Sequence, residues 1–243
     1  INTAGVNQAS EIRIQGDLIQ LTGDFNVGNT AGRVEVIANS VSQSPDDSNQ
    51  ALSVGGALNL NVDTVSLSNA GNDFVGRVDL TASNAVEIKD SNSLQVSVNA
   101  GGIATLGAEN LTLNRLTAEE LRANASGTIV QTEAVQVSGR SVLTANDINL
   151  SNSGNQFGGD VIINSIGDTT VHASDEIQIS GSSGTLNLTA EEITQRAALV
   201  VSGTSALNAS QVTLLDSEND FVGNVTLSVT GSVTLNDKNG LSV

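Results

Sequence analysis

The chain has 243 residues, of which 38% are hydrophobic and 14% charged, and its formal net charge is −17. Nine Lys and Arg against 26 Asp and Glu make an acidic, self-repelling surface that excludes a phosphate backbone as partner, so no nucleic acid is expected. Cys, Met, Trp and Tyr are absent, Phe occurs four times, and Pro and His once each. That rules out a disulfide framework or thiolate metal site and leaves Val, Ile, Leu and Ala to fill the interior.

The first residues lack the basic start and apolar middle of a signal peptide. Because the chain begins at Ile and has no Met, it reads as a mature or excised piece of something longer. No apolar run of about 18 residues occurs, so no membrane span is expected. Residues 1–50 read as irregular first coils, with Phe25 and "GRVEV" at 32–36 as a worn copy of a later repeat. The insertion "SPDDSN" lies in a loop near 41–50. Its Asp46 and Asp47 lack the EF-hand and GGxGxD patterns and read as a solvated turn.

Residues 51–243 read as regular coils. "NAGNDFVGRVDL" at 69–80 returns as "NSGNQFGGDVII" at 152–163 and "DSENDFVGNVTL" at 216–227. Asn72, Asn155 and Asn219 then lie 83 and 64 residues apart, close to four and three times about 21, a period that belongs to stacked solenoids. Between them, short runs of Val, Leu and Ile alternate with polar residues, as in strands with one buried face. Val65, Leu67, Phe74, Val78 and Leu80 read as inward, and Ser66, Ser68, Arg77 and Asp79 as outward. The gaps are too short for crossover helices. "TAEEL" at 117 and "TAEEI" at 189 carry a helix-start signal, but the coil register places both in strand or corner. The fold class is therefore all-β, a parallel β-helix of about 21 residues per coil and roughly 11–12 coils, in a single continuous solenoid over 1–243.

The repeated residues read as structural. Phe74, Phe157 and Phe221 fill a wide part of the interior, where like side chains stack on one another. Gly76, Gly159 and Gly223 face inward, where a side chain would meet the ring or block a bend. Asn72, Asn155 and Asn219 bond turn backbone at the preceding corner. No catalytic residue, cofactor or metal site is expected: His172 stands alone, and the acids of "DSEND" at 216–220 read as a turn. Asn110, Asn124, Asn149, Asn187, Asn208 and Asn224 begin Asn-x-Ser/Thr triplets and are candidate glycosylation acceptors.

These Asn-x-Phe-x-Gly-x-Val units, set in Val/Leu/Asn/Ser/Gly strands, resemble the filamentous-haemagglutinin-like adhesins of bacteria, exported by two-partner secretion or as autotransporter passengers. The resemblance covers essentially the whole chain but lacks the Asn-Pro motifs of the secretion-recognition region. It implies a right-handed coil, a place outside the cell or on its surface, and a role in adhesion with a host or matrix ligand. The expected function is thus a non-enzymatic shaft segment of a large secreted adhesin. The second reading is a structural subunit that stacks on copies of itself into a filament or sheath. It follows from "LSV" at 241–243 aligning with Leu94 to Val96 in mid-coil, which leaves an open end. A polysaccharide-processing β-helix enzyme is disfavoured by the lack of Trp and Tyr platforms.

Overall fold

The computed structural model describes residues 11–21, 25–27, 32–44 and 51–243. Among these every regular element is a strand, and every strand pairing is parallel to its equivalent one coil away. The protein is a β-solenoid. Cα packing divides it into two compact units, 1–119 and 120–243.

In the first unit, Glu11–Leu21, Arg33–Gln43 and Ala57–Leu67 stack in register. Glu11 meets Arg33 and Arg33 meets Ala57, steps of 22 and 24 residues. Burial within Ala57–Leu67 changes phase in mid-strand: Leu58, Leu60 and Val62 point inward, then Val65 and Leu67. Two consecutive residues, Asp63 and Thr64, therefore face outward and the strand bends there. In the next coil the strand is divided at this bend into Val78–Ala82 and Val86–Lys89. Leu58 meets Val78, and Val78 meets Val96, steps of 20 and 18. The remaining side is a small sheet of Phe25–Val27, Leu52–Val54 and Asp73–Phe74. Phe25 pairs with Leu52, whereas Phe74 pairs with Val54, so the worn copy lies in the same column two positions out of line.

In the second unit each coil passes through three strand segments. The first face includes Val137 against Phe157, and later Ile177, Ile193, Val212 and Val233 in succession. The second runs through Leu121, Ser141, Val161 and Ile179, then Gly181 to Leu199 and Val201 to Phe221. On the third, Ile148 is followed by Thr169, Leu186, Ser205 and Val225. Inward positions are mostly Val, Ile, Leu and Ala, with Phe157, Phe221 and the small polar Ser141, Thr169 and Ser205 among them.

Phe157 therefore lies on the first face and Phe221 on the second. Between them lie eight strands, or nine segments once Ile177–Ser183, which spans two faces, is counted twice, so Phe221 stands three coils and one face further on. The 64-residue spacing is thus not three coils of about 21. The described residues form about ten coils of about 20 residues, not 11–12 of 21. Phe157 and Phe221 do not stack on each other: Phe157 packs over Val137 and Phe221 over Val201. The "TAEEL" and "TAEEI" stretches are strand and corner, within Asn110–Ala118, Glu120–Ala125, Thr185–Thr189 and Glu192–Thr194. Asp46 and Asp47 lie outside the described residues.

Candidate functional site

The corner before each Phe is built the same way three times. Its turn is closed by a short polar residue that bonds backbone two residues on. The side chain of Asn69 accepts from Gly71 N, that of Asn152 from Gly154 N and that of Asp216 from Glu218 N, each at 2.9 Å. Ser68, expected outward, is buried beside this turn, because the alternation ends with the strand at Leu67.

Asn72, Asn155 and Asn219 follow, all fully buried. Asn155 Oδ1 accepts from Val135 N at 2.9 Å in the coil before. Its Nδ2 donates to Leu150 O at 2.9 Å and to His172 O at 2.9 Å. One amide thus ties three successive strand ends together. Asn72 does the same with Leu52 N, Leu67 O and Lys89 O, and Asn219 with Leu199 N, Leu214 O and Asn236 O.

Each Asn also exchanges a reciprocal amide pair with a glutamine. Gln131 Nε2 donates to Asn155 Oδ1 at 2.7 Å, and Asn155 Nδ2 returns to Gln131 Oε1 at 2.9 Å. Gln195 pairs with Asn219, and Gln43 with Asn72, in the same way. Sequence reasoning missed these glutamines. The signal was present, since Gln131 and Gln195 are 64 residues apart, as are Asn155 and Asn219. Gln43 was hidden because five more residues separate it from Leu52 than separate Gln131 from Val135.

Phe74, Phe157 and Phe221 are buried in the next segment. Phe74 N donates to Asp90 Oδ2 at 3.0 Å and Phe221 N to Asp237 Oδ1 at 2.8 Å, both from the coil above. In the middle copy Ala173 holds the equivalent position. Burial pushes the Asp90 carboxyl above the ordinary carboxylate value, against the backbone N–H groups of Asn92 and Phe74. Asp237 is held below that value, chiefly by the Phe221 N–H.

Gly76, Gly159 and Gly223 are half-buried. The obstacle to a side chain there is backbone, not the ring: a Cβ would strike Gly56, Gly139 and Gly203 of the coil below. Glycine stacks on glycine so that two backbones can approach.

His172 and the acids of "DSEND" sit in local structure, whereas the Ser97, Ser141 and Ser205 hydroxyls and Asp160 Oδ1 are buried without a hydrogen-bond partner. His172 ends the strand Asp168–His172, half-buried and paired in register with Thr189. Asp220 of "DSEND" holds Lys238 at 2.7 Å. Among the described residues no group of three His, Cys, Asp or Glu is placed to hold a metal ion, and no helix is long and apolar enough to cross a membrane. Asn124, Asn149, Asn187, Asn208 and Asn224 are exposed on outward strand positions or corners, while Asn110 is half-buried. Two of the hollows that open among the described residues have distinct linings. One, of about 610 Å³, follows the strand bend of the first unit from Gln15 to Ser83. The other, of about 310 Å³, lies at Phe157, Gly158, Asp175 and Glu176, where Gly158 replaces the exposed Val75 and Val222 of the other copies.

The sequence pattern of one protein family, Repeats of unknown function (DUF5649), matches residues 11–81, 100–164 and 166–228. The chain belongs to this repeat family. Each matched stretch ends seven residues beyond its phenylalanine, at Phe74, Phe157 and Phe221, so one DUF5649 repeat closes on the strand that follows the corner clamp. No curated protein and no solved structure matches the chain.

Proposed function

We propose that this DUF5649 chain is a non-enzymatic structural and adhesive protein, a shaft segment of a large secreted bacterial adhesin that works outside the cell or on its surface. One observation supports this above the others. The residues the chain repeats most faithfully, the Asn, its Gln partner, the Phe and the Gly, all turn into the fold and join coil to coil. A chain repeated for its chemistry would aim polar groups outward at a shared site. Here repetition serves the stack, and stacking is what a shaft needs. The acidic surface keeps such a segment dispersed, and the exposed Asn-x-Ser/Thr residues are where a sugar-transferring enzyme would reach it.

Light scattering and electron microscopy on the purified chain, at low and moderate salt, test this reading. A shaft segment gives discrete monomers at both salts. Long filaments one solenoid wide would contradict it and make self-assembly through coil ends the function.

A further inference from the structure

The strand bend of the first unit forms a groove that the repeat clamp does not explain. Each of four successive coils contributes the same three positions to it: Gln15 to Asp17, Ile37 to Asn39, Asn61 to Asp63 and Thr81 to Ser83. The ladder holds the first two in register, from Gln15 through Ile37 and Asn61 to Thr81. It then skips Asp17, Asn39 and Asp63, resuming at Leu18, Ser40 and Thr64. The middle residue of each trio turns inward where the core is closed, as Val62 and Ala82 do. The outer two face solvent from opposite sides of the bend. Two rails result: Gln15, Ile37, Asn61 and Thr81 on one side, apolar at its second place, and the wholly polar Asp17, Asn39, Asp63 and Ser83 on the other. They repeat about every 4.8 Å along the stack. The Ser83 hydroxyl donates to Asp63 Oδ1 at 2.6 Å and orients that carboxylate.

We propose that this groove binds a linear, neutral polysaccharide chain lying along the coil axis; the proposal rests on the adhesive reading and supplies its ligand. The rails carry both donors and acceptors, as the hydroxyl edges of a sugar chain require, and a carboxylate can accept two neighbouring hydroxyls at once. Two aspartates in a strongly acidic chain disfavour sulfated or uronic polymers. A peptide added as a further strand finds no free edge at Arg33–Gln43 or Ala57–Leu67 in the middle of the groove, since both are paired on both sides. Without aromatic platforms the grip is by hydrogen bonds alone. One segment binds weakly, and a shaft of many binds by multivalency.

Calorimetric titration of the chain with linear β-1,4-linked hexasaccharides (glucan, xylan and mannan) tests the proposal, with hexalysine as the competing chemistry. At least one hexasaccharide binds, and Asn61→Ala with Asp63→Ala weakens it at least about tenfold. Asn187→Ala, exposed in the second unit, leaves it unchanged. Binding of hexalysine alone, of no probe, or equally by the double variant overturns the groove proposal. Retention of wild-type and double variant on a matrix-coated surface separates the two readings. If both adhere equally, the groove fails and the adhesive reading stands. If the wild type binds a hexasaccharide but does not adhere, the adhesive reading fails and the groove stands.

Discussion

A buried asparagine is costly unless its amide is fully bonded, since each unpaired buried polar group costs about 1–3 kcal/mol. Asn155 meets that condition with two strand carbonyls, one strand N–H and the Gln131 amide. Asn155→Ala takes this partner from Val135 N, Leu150 O and His172 O, while Gln131 keeps Glu133 O and Asn152 N, and chemical denaturation is expected to register a loss of at least about 3 kcal/mol. Asn149→Ala, at an exposed outward position, changes stability by less than about 0.5 kcal/mol. Equal effects would contradict the clamp. The two aspartates that cap Phe74 and Phe221 titrate in opposite directions from the ordinary value of 3.8. Asp237, held low, contributes stability present above 3.8 and lost as pH falls through its folded value. Asp90, raised by burial, contributes stability present below 3.8 and lost as pH rises through its folded value. A carboxyl-carbon NMR titration through the acid range should find Asp90 above Asp237, and the reverse order would refute the difference in burial.

At the scale of the strand, parallel coils tolerate little error where a segment turns from one face to the next. Ile177–Ser183 makes that passage within a single strand: its first residues pair with Ile193 and Thr194, its last with Leu199 to Val201. Gly181 sits at the crossing with φ of 109°, and a Cβ there would strike Ile163 O. Gly181→Ala should therefore cost about 1–3 kcal/mol in thermal or urea unfolding. Gly240→Ala, with open space around it, should cost almost nothing. Phe157→Ala removes the largest side chain of its segment and should cost about 3–5 kcal/mol. Strand alternation was readable at this scale because one face is apolar along every segment. The face on which a given segment lies was not readable, because all faces use the same Val, Leu and Ala code. Hence Phe157 and Phe221 were expected in one stack although they lie on different faces.

Across the chain, the repeat and the solenoid were legible in the sequence for one physical reason: stacked coils impose the same constraint again and again, so the same residues return. Asn72, Phe74 and Gly76 with their copies stood out because they recur at a corner. Their Gln partners did not, since they sit at the end of the preceding coil and outside the recurring phrase. The groove from Gln15 to Ser83 could not be read either, because its rails vary in residue type and only the bend brings them together. Coil length was misjudged for a related reason: a repeat of nine strands, one of which, Ile177–Ser183, serves two faces, looks like nine segments until register is known. That register carries the whole account, and a chain without cysteine allows it to be tested by paired cysteines in the second unit. Thr170 is set against Asn187, 17 residues on, so Thr170→Cys with Asn187→Cys should close an intramolecular disulfide on mild oxidation. Neighbouring parallel strands stand about 4.8 Å apart, within disulfide reach. Thr170→Cys with Glu191→Cys, the pair that a uniform 21-residue coil would align, should remain reduced. Closure of the second pair and not the first would contradict the stack described.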